Sequence, residues 1–409
     1  MYTQIKIAWR NIIRNKRRSS LTISAVGFGL GALIFLWAFV DGAHFQMIEN
    51  YTSLLCGHIQ IHEKGYRENP KLELYIENSD KIIKQIKKIP LIKAITKRIK
   101  TAGLISSAES SAGVTILGIE PDKERLVSSI SRHISSGKMF NKNDDKTIII
   151  GKDLAKNLNV SLGEKIVIMS QALDGSIAAG AYKLAGILNT GVDEIDKGIA
   201  LISHKAAEEL FYMNDKTSEI AIRLKSAEYV KTASEQIKEK LKMNQNLEIS
   251  TWEEISPMLQ QWIEFDKGFI IVIVFVVIIV VGIGILNTVL MGVLERKREF
   301  GILLAIGCHR REIVCMVAWE SIFLGIIGTI MGLLLGTSIS LYFSHVGINL
   351  KLFANALNSF YIDSFIYPKL IATHILFSIS SVLITSISVS IYPAFHAANL
   401  NPIEAIRSV

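Results

Sequence analysis

Four apolar stretches, residues 21–40, 269–294, 313–343 and 370–395, decide what this chain can fold into. Each is long enough to cross a hydrocarbon core of ~30 Å, which takes about 20 helical residues. The second, FIIVIVFVVIIVVGIGILNTVLMGVL, holds no charge. As a helix, its roughly 26 residues reach ~39 Å, so it is expected to tilt or to extend past one face. The third stretch carries Glu320, and the fourth is rich in hydroxyls. With half of all residues apolar and a mean hydropathy of +0.35, the chain falls in the membrane class.

Lysine and arginine in the short flanks set the orientation, because long translocated domains are largely exempt from the positive-inside rule. Lys6, Arg10, Arg14, Lys16, Arg17 and Arg18 precede the first stretch, and Arg296, Lys297, Arg298, Arg310 and Arg311 separate the second from the third. Both flanks and both termini are therefore expected in the cytoplasm, with residues 41–267 and 344–369 outside. These flanks account for most of the formal charge of +8, so no nucleic-acid partner is needed to explain it. A cleaved signal is the competing reading of the N-terminus. The apolar run is longer than a signal core and ends in FVDGAHF without a small-x-small site, which favours an uncleaved anchor. Cys56, Cys308 and Cys315 form neither a disulfide framework nor a metal-ligand spacing.

The long external segment is expected to hold a mixed α/β domain. It begins with a helical continuation, DGAHFQMIENYTSLL, and a strand at GHIQIH. SDKIIKQIKKI follows as an amphipathic helix, with Ile82, Ile83, Ile86 and Ile89 at helical spacing; packing on a sheet outweighs a lipid-binding role. KTIIIGKDLAKNLNVSLGEKIVIMSQ reads as strand, turn, short helix, turn and strand, with YKLAGIL as a further strand. Gly151-Lys152 is not a phosphate loop, because the earlier glycine is missing and Asp153 stands where Ser or Thr is required. No Walker A motif and no local nucleophile signature occurs, so no catalytic, cofactor or metal residues are assigned and no ATP hydrolysis is expected on this chain.

Gly27 and Gly31, and then Gly328, Gly332 and Gly336, stand four apart and share a helix face, which permits close helix approach in lipid within one bundle or across a dimer. Ser378, Ser381, Thr385 and Ser388 form a polar stripe facing either neighbouring helices or a water-lined path. Glu320 lies nine residues past Arg311, ~13 Å along a helix. It is either a functional intramembrane acid or an acid held at the headgroups.

Between the second and third stretches, LERKREFGILLAIGCHRREI reads as a short charged helix with an apolar face of Phe300, Leu303, Leu304 and Ile306, suited to docking in a groove on a cytosolic partner. The segment resembles the coupling helix of the FtsX-like permeases, the group that includes lipoprotein-releasing and MacB-type permeases. The pattern E-R-x-x-E-[FIL]-G-x-x-x-A-[IL]-G stands here as Glu295, Arg296, Glu299, Phe300, Gly301, Ala305, Ile306 and Gly307. The opening IAWRNIIRNKRRSSLTISAVGFG resembles the family's amphipathic entry helix. The ending resembles its C-terminal motif at Pro393, Ala394, Ala397, Pro402, Glu404, Ala405 and Arg407.

The resemblance implies an ABC transporter permease subunit that works by mechanotransmission. Its expected partners are a cytosolic ABC ATPase dimer, a second permease chain (identical or different), membrane lipids and a periplasmic, lipoprotein or hydrophobic substrate. The ATPase is expected on a separate chain. Contacts to it are expected from Glu295, Arg296, Arg298, Glu299, Phe300, Gly301 and Gly307. A signalling permease that activates a cell-wall hydrolase is the alternative; a membrane-anchored periplasmic enzyme is disfavoured for want of a catalytic constellation.

The expected fold is thus an α+β inner-membrane protein with four transmembrane helices and a large mixed α/β periplasmic domain between helices 1 and 2. The boundaries are a cytoplasmic amphipathic helix 1–20, helix 1 at 21–43, the MacB-like periplasmic domain 44–265 and helix 2 at 266–294. The coupling helix at 295–311, helix 3 at 312–343, a periplasmic loop 344–369, helix 4 at 370–395 and a cytoplasmic tail 396–409 complete the chain.

Overall fold

A computed structural model describes residues 2–141, 144–242, 244 and 246–407. Met1, Ser408 and Val409 of the expected terminal segments lie outside the described residues, as does the side chain of Arg407. The chain divides into two compact units: residues 1–44, 263–350 and 365–409 form a helical bundle, and residues 45–262 with 351–364 form a second unit.

The bundle is built from α1 (Tyr2–Arg14), α2 (Lys16–Tyr51, of which residues 16–44 belong here), α3 (Pro257–Glu295, from residue 263), α4 (Lys297–Ala305), α5 (Arg310–Val346), α6 (Ala372–Ala398) and α7 (Pro402–Arg407). Four of these helices, α2, α3, α5 and α6, are long and apolar enough to cross a membrane. The amphipathic entry helix is shorter than its expected end at residue 20. The helix breaks at Asn15, and the Ser19 hydroxyl closes the joint by donating to the Ile12 carbonyl at 3.0 Å.

The interior of the bundle is a continuous apolar core that includes Val26, Leu30 and Ile34 of α2, Val281 and Ile285 of α3, Val317 of α5 and Val382 of α6. The two glycine stripes meet inside this chain. A Cβ on Gly332 would lie 2.7 Å from the Gly27 carbonyl oxygen, and one on Gly336 would lie 2.9 Å from the Gly31 carbonyl oxygen. The backbones of α2 and α5 therefore touch where any side chain would hold them apart.

In α6, the buried residues run through Ser378, Val382, Ser386 and Ser390, four apart, while Ser388 of the expected stripe is exposed. Three of the stripe's hydroxyls bond to carbonyls one turn back, Ser378 to His374, Ser381 to Phe377 and Thr385 to Ser381.

The second unit carries one large sheet. Among the described residues its strands are β1 (Ile59–Glu63), β2 (Ile92–Ser106), β3 (Ser111–Ile119), β4 (Ile134–Gly137), β5 (Thr147–Gly151), β6 (Lys165–Gln171), β7 (Ile177–Leu188), β8 (Ile199–Ser203), β9 (Glu219–Leu224) and β10 (Leu247–Thr251). The order is β10-β1-β9-β2-β3-β8-β5-β7-β4, and β6 bridges β7 back to β2. Strands β2, β3, β8, β5, β7 and β6 therefore close on themselves, which removes free edges from the centre of the sheet.

The KTIIIG run needs a buried environment on both faces. Ile148 and Ile150 join one core with Ile116, Ile166 and Leu184, while Ile149 between them joins another with Leu117, Leu188 and Leu201. SDKIIKQIKKI forms a helix only over Ser79–Ile86. It buries Ile82 and Ile86, and Ile89 is buried beyond its end. Residues 351–364, read from sequence as part of a plain loop, belong to this unit: the Asn50 amide donates to the Tyr361 carbonyl at 2.9 Å, and the rings of Tyr51 and Tyr361 meet edge-on at 5.1 Å.

The helix His204–Phe211 starts at Ser203, whose hydroxyl accepts from the Ala206 amide at 3.0 Å. Ser203→Ala is expected to cost about 1 kcal/mol through loss of that cap, measured as a lowered unfolding midpoint.

Candidate functional site

At the end of the bundle where α2 begins and α3 ends, six charged side chains form one ion-pair network. Arg18 near the start of α2 reaches Glu320 on α5 at 2.6 Å and Glu295 at the end of α3 at 3.3 Å. Arg296 is the residue between α3 and α4. It reaches the other Glu320 oxygen at 3.2 Å and Glu299 of α4 at 2.8 Å, and its guanidinium lies over the Phe300 ring at 5.1 Å. Glu299 also accepts from Arg14, the last residue of α1, at 2.9 Å. Three arginines, Arg14, Arg18 and Arg296, thus face three carboxylates, Glu295, Glu299 and Glu320, so the network carries no net charge.

Burial is graded across it. Arg296 and Glu320 are each 7 % exposed, whereas the Arg14 and Glu299 side chains are about half exposed, at 57 % and 48 %. Burial of Glu320 without both arginines would leave a bare charge in an apolar bundle, at a cost of several kcal/mol. One oxygen on each arginine removes that cost and locks α2, α5 and the α3–α4 junction to one another. Partial burial pushes the Glu299 carboxyl up, but hydrogen bonds from Arg296 and Arg14 outweigh it and hold its pKa below the ordinary glutamate value.

The expected partner-facing residues divide into two sets. Glu295, Arg298, Glu299 and Gly307 are exposed, whereas Arg296, Phe300 and Gly301 are buried. Of the apolar face expected to dock on a partner, Phe300, Leu303, Leu304 and Ile306, the first three turn inward instead, with Phe300 1 % exposed and Leu303 and Leu304 packed on the bundle core, while Ile306 stays outside. The reason is physical: α4 lies against its own bundle, which offers the nearest apolar surface to cover. What α4 leaves outside is a mixed strip of Glu295, Arg298, Glu299, Ile302 and Ile306, with Ile306 75 % exposed.

Gly307 ends α4 at φ +94°, a left-handed turn that favours glycine, and α5 begins three residues later. The helix α7 packs beside α4, with Ala405 fully buried. Sequence reasoning placed Arg14 and Arg18 only in a basic flank. Their spacing of four, one helical turn across the Asn15 joint, was the available signal.

A second polar set lies elsewhere in the bundle. Asp41 of α2 accepts from the His374 ring of α6 at 2.6 Å, and that ring stacks on Trp37 at 4.1 Å between centroids. His44 pairs with Asp266 of α3 at 2.8 Å. Among the described residues no group of histidine, cysteine or acidic side chains is placed to hold a metal ion.

Comparison with known proteins agrees with this architecture. The profile of the FtsX-like permease C-terminal domain matches residues 271–402, and that of the MacB-like periplasmic core domain matches residues 19–240. The chain is 25 % identical to the uncharacterized ABC transporter permease MJ1507 of Methanocaldococcus jannaschii, over 98 % of this chain and 97 % of that protein. It is 24 % identical to the macrolide export ATP-binding/permease protein MacB of Campylobacter jejuni, over 98 % of this chain but 60 % of that protein. It is 21 % identical to the lipoprotein-releasing system transmembrane protein LolC of Neisseria meningitidis, over 98 % of both. With the periplasmic-core profile spanning 19–240 of 409 residues and the permease profile spanning most of the rest, the chain belongs to the FtsX-like ABC transporter permeases with a MacB-like periplasmic core domain.

Proposed function

We propose that this permease transmits the motion of a separate cytosolic ATPase dimer through α4 into the bundle, and that the cargo is a lipoprotein or another hydrophobic or lipid-linked molecule taken from the outer leaflet or periplasm. Two such chains, or this one and a different permease, pair with the two ATPases. Both termini and α4 face the cytoplasm, the side on which the basic flanks stand. The names of two relatives, a macrolide exporter and a lipoprotein-releasing protein, support a hydrophobic or lipid-linked cargo.

The observation that carries the reading is the Arg18–Glu320–Arg296–Glu299–Arg14 network. It ties α4 to α1, α2 and α5, so a displacement of α4 cannot be absorbed locally. ATP drives the change only to the extent that it favours one arrangement of the dimer over the other. Within the coupling segment, Arg296, Phe300 and Gly301 anchor α4 to the bundle, while Glu295, Arg298 and Glu299 meet the ATPase and Gly307 sets the turn.

Arg298→Glu tests the contact face without disturbing the anchor, because Arg298 makes no ion pair among the described residues. The expected result is about a tenfold loss of retained ATPase in a mild-detergent pull-down, equivalent to ~1.4 kcal/mol of binding, with unchanged helix content. Undiminished co-purification of both Arg298→Glu and Glu299→Lys would remove α4 as the contact.

A further inference from the structure

The second unit encloses a cavity of about 560 Å³, a size that suits a small amphiphile. Its buried end is ionic. Arg98, 1 % exposed, donates Nε and Nη2 to the two Glu124 oxygens at 3.0 and 2.7 Å, and donates Nη1 to Glu219 Oε1 at 2.9 Å and to the Leu55 carbonyl. Glu219 Oε2 is buried and accepts no hydrogen bond among the described residues. Two carboxylates therefore share one guanidinium, and one carboxylate oxygen is left unsatisfied, an arrangement that costs free energy until a donor arrives.

Burial pushes the Glu219 carboxyl up, but the charges of Arg98 and Lys100 outweigh it and hold its pKa below the ordinary value, so the group is ionised at neutral pH. Glu194 lines the same cavity and adds a second acid to its wall. Lys100, exposed at the lining, supplies the opposing charge but no hydrogen bond to the free oxygen. The open end is aromatic. Trp262 and Phe360 meet edge-on at 5.3 Å, Tyr51 and Tyr361 stand beside them, and Met258 at the rim is 72 % exposed.

We propose that this cavity binds a cationic amphiphile, its ammonium head donating to Glu219 and its apolar body held by Trp262, Phe360 and Tyr51. An anionic head is disfavoured by Glu194 and Glu219 together, and a head without a donor leaves the buried Glu219 Oε2 unsatisfied. The aromatic end adds cation–π attraction for the ammonium as it enters. The proposal deepens the transport reading, on which it rests for its meaning, by giving a chemical class to cargo that passes through this unit.

The test uses the full chain in lipid nanodiscs, without any ATPase, titrated with dansylcadaverine, a primary ammonium on an alkyl arm with an aromatic fluorophore. Energy transfer from tryptophan is read against empty nanodiscs and against the N-acetylated, uncharged analogue. Saturable binding at least tenfold tighter for the amine than for its acetylated form is expected. Glu219→Gln should abolish that preference, and Ser256→Trp, which fills the cavity without touching the triad, should abolish binding of both probes.

Equal affinity for the two probes, uptake no greater than by empty nanodiscs, or a titration unchanged by Ser256→Trp would each overturn the proposal. Because no ATPase is present, the outcome is independent of the pull-down that tests the permease reading.

Discussion

Glu320→Ala will destabilise the bundle by about 3 kcal/mol, the lower end of the range for removing one partner of a buried ion pair. The lower end applies because neither arginine is stranded completely: Arg18 keeps Glu295 and Arg296 keeps Glu299. What is lost is the one carboxylate that both share at 2.6 and 3.2 Å inside the bundle. Glu320→Gln, which retains one carbonyl acceptor, should cost less. Unfolding titrations of the full chain in mixed micelles measure both. A second, sharper comparison is available, since replacing Arg296 and Glu320 together by methionine removes charge and counter-charge at once and should recover part of the loss. A change below about 0.5 kcal/mol for Glu320→Ala would mean that the network contributes no more than a solvent-exposed pair.

Gly332→Leu should be comparably damaging for a different reason. Its Cβ alone would sit 2.7 Å from the Gly27 carbonyl oxygen, and that neighbour is backbone, which cannot rotate away. The helices α2 and α5 must then separate along the whole seam that Gly31 and Gly336 continue. Overpacking of this kind costs about 1–3 kcal/mol for small additions and more where the backbone must shift. Gly332→Ala is expected near 2 kcal/mol and Gly332→Leu above 3, read as loss of folded chain in the same titrations. Gly268→Ala is the control: nothing lies near its would-be Cβ, and alanine in a helix interior is favoured over glycine by up to ~1 kcal/mol. Similar losses at Gly332 and Gly268 would mean that the close approach at the seam does not set the effect.

How much of this was legible in the sequence depends on the kind of signal each feature leaves. The four long helices were readable because their apolar runs have no alternative in water, and the strand–helix–strand unit at 147–171 was readable from its three isoleucines and flanking glycines. Orientation within the bundle was less accessible. Phe300, Leu303 and Leu304 mark an apolar face, but only packing shows that the chain covers it itself. The α6 stripe shows the same limit: steps of three and four predict Ser378, Ser381, Thr385 and Ser388, whereas the buried line takes steps of four through Ser386 and Ser390.

Pairings across long separations leave no local trace. Arg18 meets Glu320 across 302 positions, and Arg98 meets Glu219 across 121. For the same reason, closure of the β2–β3–β8–β5–β7–β6 ring and the recruitment of residues 351–364 became visible only in the folded chain.

The central claim is that this permease is driven through α4 by an ATPase on another chain. Affinity purification of the tagged full-length protein in mild detergent, followed by mass spectrometry and an ATP-hydrolysis assay of the eluate, tests it most directly. The account predicts an ABC-type ATPase in near-equal amount to the permease, with turnover that falls when Glu320 is replaced by alanine. Recovery of the permease with no ATPase and no hydrolysis would contradict it.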